Sequence, residues 1–341
     1  MFIFIIIIIM IILLCIIYFS KKKNKILNNN LKNNSKFDIV ITWVRNDTAF
    51  QNEKNIWKTK YNMINQGDER YTDNKEIVYL LRSIDKYLND YNNIYIVVKD
   101  SQFPEYLNFK HPKLILIKHS EIIPSQFLLT FNSMVIEAFL HKIPNLTDNY
   151  LYFNDDVILM SNKNAAFFID NYGIPYSLHE NNNEYNCITM KNIDINNYEF
   201  TEGWCFNLEL VNNILNQPNK KRYFVSHNPK MFNKKFDNQI ENILKKYYYK
   251  DDNINIFDKN AASKFRLNSN LYLVSLLKEV LYHELFNSKY KKCNNSIITN
   301  FDENTKLNNN YDFMCIQNIK DINNYKNELE RHFSYKSQFE L

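Results

Sequence analysis

The feature that most constrains this chain is an alternation. Short apolar, β-branched runs take turns with helix-patterned stretches through its first half. Phe37 to Val44 (FDIVITWV), Ile94 to Val98 (IYIVV), Leu114 to Ile117 (LILI) and Tyr150 to Phe153 each read as a buried strand. Between the first two, Ile77, Leu80, Leu81, Ile84 and Leu88 fall on one helical face. Asp73 and Glu76, spaced like a capping box, mark the expected start of that helix. Ser133 to His141 reads as another helix. Strands that alternate with helices imply an α/β domain with a largely parallel sheet. The second half reads as more helical, over about 239–248, 270–285 and 323–333, and no internal repeat is visible.

Of 341 residues, 45% are apolar, enough to core one large domain. The only glycines are Gly67, Gly173 and Gly203, so neither G-x-G-x-x-G nor a Walker A loop can be built. That excludes classical dinucleotide dehydrogenases and P-loop kinases. Any phosphate must be held by a metal, by Arg, Lys or His, or by a helix N-terminus. The net charge is +5 with both signs mixed, and no nucleic-acid partner is expected. Five cysteines (Cys15, Cys187, Cys205, Cys293, Cys315) show no C-x-x-C or Cys/His ligand spacing, so no structural zinc site is expected. Whether the last four pair or stay reduced is open.

Phe2 to Phe19 is an unbroken apolar run, about long enough to span a membrane. Neither a basic stretch before it nor a small-residue cleavage site after it is present, which favours an uncleaved single-pass anchor over residues 1–20. Residues 21–36 read as an Asn-rich linker to a domain over 37–341. Lys21, Lys22, Lys23 and Lys25 argue for a cytoplasmic domain, whereas sequons such as Asn145-Leu146-Thr147 suit a lumenal one.

Asn154-Asp155-Asp156 is the sharpest local signal. Two carboxylates follow an apolar strand, and open α/β sheets bind ligands beyond the carboxyl ends of their strands. Such oxygens suit Mg²⁺ or Mn²⁺; they also suit a capped turn. Asp38 opens the first strand, where an acid is costly unless paired or functional. His119 follows the third strand, and His227 lies in a turn-like Ser226-His227-Asn228-Pro229. Arg70, Arg82 and Arg266 read locally as surface or capping residues.

The order of these segments resembles the Stealth family of sugar-phosphate transferases. That family includes bacterial capsule polymerases and the lysosomal-targeting N-acetylglucosamine-1-phosphotransferase α/β subunit. The first matching block is Phe37 to Val44. The second runs from Arg70-Tyr71-x-Asp73-Asn74-x-Glu76 through Leu81-Arg82-Ser83-Ile84, His119, Thr130-Phe131-Asn132-Ser133 and Leu140-His141 to Tyr152-Phe153-Asn154-Asp155-Asp156. The third is Ser226-His227-Asn228-Pro229 to Phe265-Arg266, and the fourth is Cys315-Ile316-Gln317 to Ser337-Gln338-Phe339-Glu340. Two departures stand out. Arg45-Asn46-Asp47-Thr48 lacks the family's Gly and Asp-Pro, and Gln317-Asn318 stands where the family tends to show Asn-Asp.

The resemblance implies a Rossmann-like or glycosyltransferase-A-like sheet. It also implies transfer of sugar-1-phosphate from a nucleotide-sugar, such as a UDP-N-acetylglucosamine-like donor, to a hydroxyl on a glycan or glycoconjugate. Asp155 and Asp156 would hold Mg²⁺ or Mn²⁺, His227 would act as general base, and Arg266 would clamp phosphate. Asp38, Arg70, His119, Asn132, Ser133 and Asn154 would line the donor site. By family analogy the domain would face the Golgi or endoplasmic-reticulum lumen. The rival readings are a metal-dependent glycosyltransferase that moves the sugar alone and an inactive glycan-binding relative.

Overall fold

The computed structural model describes residues 36–62, 71–179, 184–185, 200–217, 220, 222–223, 227–248, 274–298 and 300–341. The Phe2–Phe19 run, the linker, Arg70 and Arg266 lie outside them. Among the described residues no helix is long and apolar enough to cross a membrane.

A five-stranded sheet organises the domain, in the order β3-β2-β1-β4-β9. Its strands are β1 (Phe37–Thr42), β2 (Tyr91–Val98), β3 (Leu114–Lys118), β4 (Asn149–Asn154) and β9 (Lys230–Asn233). The first four run parallel, as the alternation predicts, and β9 adds antiparallel to β4. Helices α1 (Thr48–Lys60) and α2 (Glu76–Tyr87) connect β1 to β2. Helices α3 (His119–Ile122) and α4 (Ser133–Phe139) lie between β3 and β4. Helix α1 was not legible in the sequence: its residues TAFQNEKNIWKTK bury only Phe50 and Lys54, too few for a clear stripe.

Side chains alternate along the strands, so the sheet packs on both faces. On one face Ile39, Ile41, Ile94, Ile96, Leu151 and Phe153 meet Ile77, Leu80, Leu81 and Ile84 of α2. Truncating Leu81 to Ala there would cost about 3 kcal/mol. On the other face Val40, Tyr95, Val97, Tyr150 and Tyr152 meet α4, α7 (Lys234–Tyr248) and α8 (Val274–Phe286). Beyond β4 the chain turns into β5 (Val157–Leu159), which starts a smaller sheet, β11 (Asn295–Ile298), β12 (Phe313–Ile316), β5. Helix α9 (Ile322–His332) covers that sheet through Tyr325 and Leu329.

Two buried polar ties fix β9. Lys230 Nζ meets Glu279 Oε2 at 2.6 Å, and Asn233 Nδ2 donates to Asn149 Oδ1 at 2.7 Å. Arg82, expected on the surface, is instead a buried clasp. Its Nε and Nη2 donate to Glu340 Oε1 and Oε2, both at 2.8 Å, and Nη1 donates to Phe333 O at 2.8 Å and Glu330 Oε1 at 2.9 Å. Such a two-pronged guanidinium–carboxylate pair fixes orientation as well as distance.

Candidate active site

Because β1 to β4 are parallel, their carboxyl ends share one edge. Asn154 closes β4 opposite Thr42 of β1, and Asp155-Asp156 make the turn into β5. The antiparallel register of β9 (Tyr152 opposite Lys230) carries the preceding residues, His227 and Asn228, back past that turn. His227 Nε2 then lies 3.8 Å from Asp156 Oδ1. From the other side, β12 pairs with β5 and brings Cys315, whose thiol donates to Asp156 Oδ2 at 3.3 Å. The Ile316 amide donates to Asp156 O at 3.1 Å, and Gln317 Nε2 donates to Cys315 Sγ at 3.5 Å.

Two further acids reach this edge from the start of α2. Asp73 Oδ2 accepts from the Tyr106 hydroxyl at 2.8 Å, and Asp73 Oδ1 accepts from the Lys75 amide at 2.9 Å. Glu76 accepts from the Asn74 backbone amide and from Asn74 Nδ2, each at 2.7 Å. The capping-box expectation is corrected here. The helix opens at Glu76 and its N-cap position is Lys75 in the left-handed region (φ 66°), so Asp73 lies ahead of the helix, held by Tyr106 and the Lys75 amide. Lysine adopts that backbone only where surrounding contacts enforce it.

The electrostatics follow from this crowding. Burial, then Asp156, Glu76 and Asp73, push the Asp155 carboxyl well above its usual range. Burial also raises Glu76, with Asp73 adding and Asn74 opposing. Burial and the neighbouring Asp156 push the Cys315 thiol well above its ordinary value. Asp156 Oδ1 is buried and has no hydrogen-bond partner. An unpartnered buried carboxylate oxygen, beside an acid whose ionisation three neighbours oppose, is the charge pattern a divalent cation relieves.

The other expected residues are placed as follows. Asn154 joins the pair at the strand end. Asp38 does not. It sits at the opposite end of β1 and is fully buried, with Oδ1 accepting from the Asn93 amide at 3.0 Å and Oδ2 from the Thr147 amide at 2.7 Å. Both oxygens are committed to backbone, so this acid ties strands and loop together and lines no donor pocket. His119 lies at the carboxyl end of β3, three strands from β4, or about 14 Å at the usual spacing. Burial pushes its imidazole down to about 4, with Lys99 adding and Asp100 opposing, so it is neutral at pH 7. Asn132 caps α4, its Oδ1 accepting from the Met134 amide at 3.0 Å, with Ser133 as the first residue of that helix. Phe131 just before them carries Lys99 Nζ 5.9 Å from its ring centroid, which places this segment beside the carboxyl end of β2. Asp73, Glu76, Tyr106 and Cys315 were not expected in the site. The Asp73-x-x-Glu76 spacing is visible in the sequence but reads there as helix capping. Cys315 carries no local signal, because its partners come from remote parts of the chain.

Residues 70–177 match the family model of Stealth protein CR2, conserved region 2. Over 144 residues the chain is 40% identical to the capsular polysaccharide phosphotransferase LcbA of Neisseria meningitidis, covering 41% of this chain and 39% of that protein. It is 36% identical over 152 residues to a capsular polysaccharide phosphotransferase of Actinobacillus suis, covering 41% and 39%. With WcwK of Streptococcus pneumoniae, a capsular polysaccharide phosphotransferase, identity is 33% over 180 residues, covering 50% and 53%. The chain thus spans about two fifths of the length of the first two relatives. Asp73, Glu76, Asn132, Asp155 and Asp156 lie inside the region matched by the family model, and His227 and Cys315 outside it. The segment that builds the acid edge is thus the part of the chain that is similar to Stealth conserved region 2 and to these capsular polysaccharide phosphotransferases.

Proposed function

We infer that the chain is a phosphotransferase of polysaccharide assembly. It moves sugar-1-phosphate from a nucleotide-sugar to a hydroxyl of a glycan or glycoconjugate. The observation that carries this reading is the convergence of Asp155, Asp156 and His227 at one sheet edge, with His227 Nε2 3.8 Å from Asp156 Oδ1. The names of the relatives, capsular polysaccharide phosphotransferases, support the reaction class.

In this mechanism the acceptor oxygen attacks the phosphorus that bears the sugar oxygen. The bond from that phosphorus to the nucleoside monophosphate breaks, and the sugar's anomeric bond stays intact. Such transfer is mostly positioning and charge neutralisation. Asp155 and Asp156, with Glu76 beside them, would hold Mg²⁺ or Mn²⁺, which when bound supplies charge stabilisation to the diphosphate. His227 takes the acceptor proton at Nε2, the role imidazole fills near neutrality. Asp156 faces that nitrogen and stabilises the imidazolium that forms. Arg266 is assigned to the donor phosphates and Arg70, Asn132, Ser133 and Asn154 to the donor pocket. The apolar Phe2–Phe19 run is assigned as a membrane tether.

The test is to incubate the purified chain with Mg²⁺, a panel of nucleotide-sugars and glycan acceptors, and to identify the released nucleotide by mass. Nucleoside monophosphate is the expected product. Nucleoside diphosphate would turn the reading into glycosyl transfer. Absence of turnover over the whole panel would leave a glycan-binding relative.

A further inference from the structure

Asp156, His227 and Cys315 each direct a ligand atom into one small space, and these atoms all lie within 4.8 Å of one another. We propose that the three side chains form a binding site for a soft divalent cation of the Zn²⁺ type, with Cys315 as a thiolate ligand. The argument is geometric and chemical. Oxygen, imidazole nitrogen and thiolate sulfur bind zinc at about 2.0–2.3 Å and so lie under about 4 Å apart around it. The groups here need to close by roughly an ångström to match that shell. His227 Nε2 and Asp156 Oδ1 are already 3.8 Å apart. Three protein ligands leave a fourth position open. Asp156 and His227 are partly exposed, at 28% and 35% of their side chains, so an ion has a route in.

The donor set also separates this ion from the one the acids alone would take. Magnesium prefers oxygen and dehydrates reluctantly, whereas thiolate and imidazole select zinc-like ions. Cys315 is buried on β12, and its thiol already points at Asp156 Oδ2. The Gln317 amide holds the sulfur, and the Ile316 amide holds the Asp156 carbonyl, which fixes the outer shell. Binding is not a redox step. The sulfur–hydrogen bond breaks, a sulfur–metal bond forms, and one proton leaves to solvent. The ion engages His227 and Asp156 together, so it competes with a hard cation for Asp156 and removes the base. That inhibitory consequence rests on the phosphotransfer reading; the binding site itself does not.

The experiment strips the purified full chain with a chelator and titrates it with Co²⁺ and Zn²⁺. One equivalent of Co²⁺ should give a thiolate-to-cobalt charge-transfer band in the near ultraviolet, displaced by Zn²⁺ and untouched by excess Mg²⁺. Cys315→Ser should lose the band and weaken Zn²⁺ binding by more than about 100-fold, beyond the loss that outer partners cause. Cys293→Ser should keep the band. His227→Gln, a change at a half-exposed turn, should weaken Zn²⁺ binding while circular dichroism and melting stay as in the parent. Failure of the parent chain to give the band, or its survival in Cys315→Ser, overturns the proposal. A band without donor turnover under Mg²⁺ supports the site and removes only its inhibitory consequence.

Discussion

The two ends of the β1–β4 strand pair each carry acids, and the fold treats them in opposite ways. At the amino end, Asp38 is fully buried and both its oxygens accept backbone amides, from Asn93 and Thr147. At the carboxyl end, Asp156 keeps a buried oxygen without a partner, and Asp155 is pushed up by burial and by three neighbouring acids. A buried carboxylate with its lone pairs filled stabilises the chain. One left unfilled beside other acids costs stability, and such strain is a signature of sites that meet a ligand. Burial of a charge therefore does not separate structure from function here; satisfaction of its oxygens does.

The contrast can be broken in three places. The largest expected effect is on transfer. Asp156→Ala should lower turnover about 1000-fold, the loss of several kcal/mol of charge stabilisation, while thermal unfolding stays near that of the parent. Retained turnover would remove the acid pair from the mechanism. Next, Asp38→Ala should cost about 3 kcal/mol in urea denaturation, because two amides lose a charged acceptor. Below the new unfolding midpoint it should still turn over donor; loss of turnover in a folded protein would return Asp38 to the site.

The smallest effect is a pH dependence. The raised Asp155 carboxyl holds its proton in the folded chain at pH values where the unfolded chain has lost it. From about pH 4 upward to the raised value, the folded state binds more protons, so stability falls as pH rises. His119, held at about 4 by burial, and the lowered His141 pull the other way below about pH 6.5, so the effect is read as a difference: the metal-free parent should gain stability relative to Asp155→Asn as pH drops from 7 toward 5. Glu241 and Glu328 oppose the trend at lower pH. Against the effect of burial, His141 and Lys142 hold Glu241 at about 2, and Arg331 with the Leu307 amide holds Glu328 at about 2. A parent that gains no stability relative to Asp155→Asn between pH 7 and 5 would contradict the assignment.

Much of the fold was legible because it is local. The runs at Phe37, Ile94, Leu114 and Tyr150 became β1 to β4, and the Ile77–Leu88 stripe became the buried face of α2. The expected helices of the second half match α7, α8 and α9 within a few residues of each end. Long-range pairings were not legible. β9 and the β11-β12-β5 sheet are short strands whose partners are remote in the chain. Within the site, Asn154-Asp155-Asp156 announced itself at a strand end. Local spacing could not show that Cys315 would meet His227 and Asp156, because the meeting depends on β9 pairing with β4 and β12 with β5. Nor could it tell Asp38 from Asp155, because a strand shows which residues are buried and not which amides will answer them.

The Arg82–Glu340 clasp joins positions separated by 258 residues. Helix α2, which it anchors, begins at the acids that face the candidate site. Synthesis proceeds from the amino end, so Arg82 leaves the ribosome long before its carboxylate exists. Until residue 340 emerges, a guanidinium meant for the interior has no mate, and the acid edge rests on a helix not yet pinned. Assembly of the reactive end is therefore a late event, and a chaperone that shields nascent chain would have to stay until residue 340 has emerged.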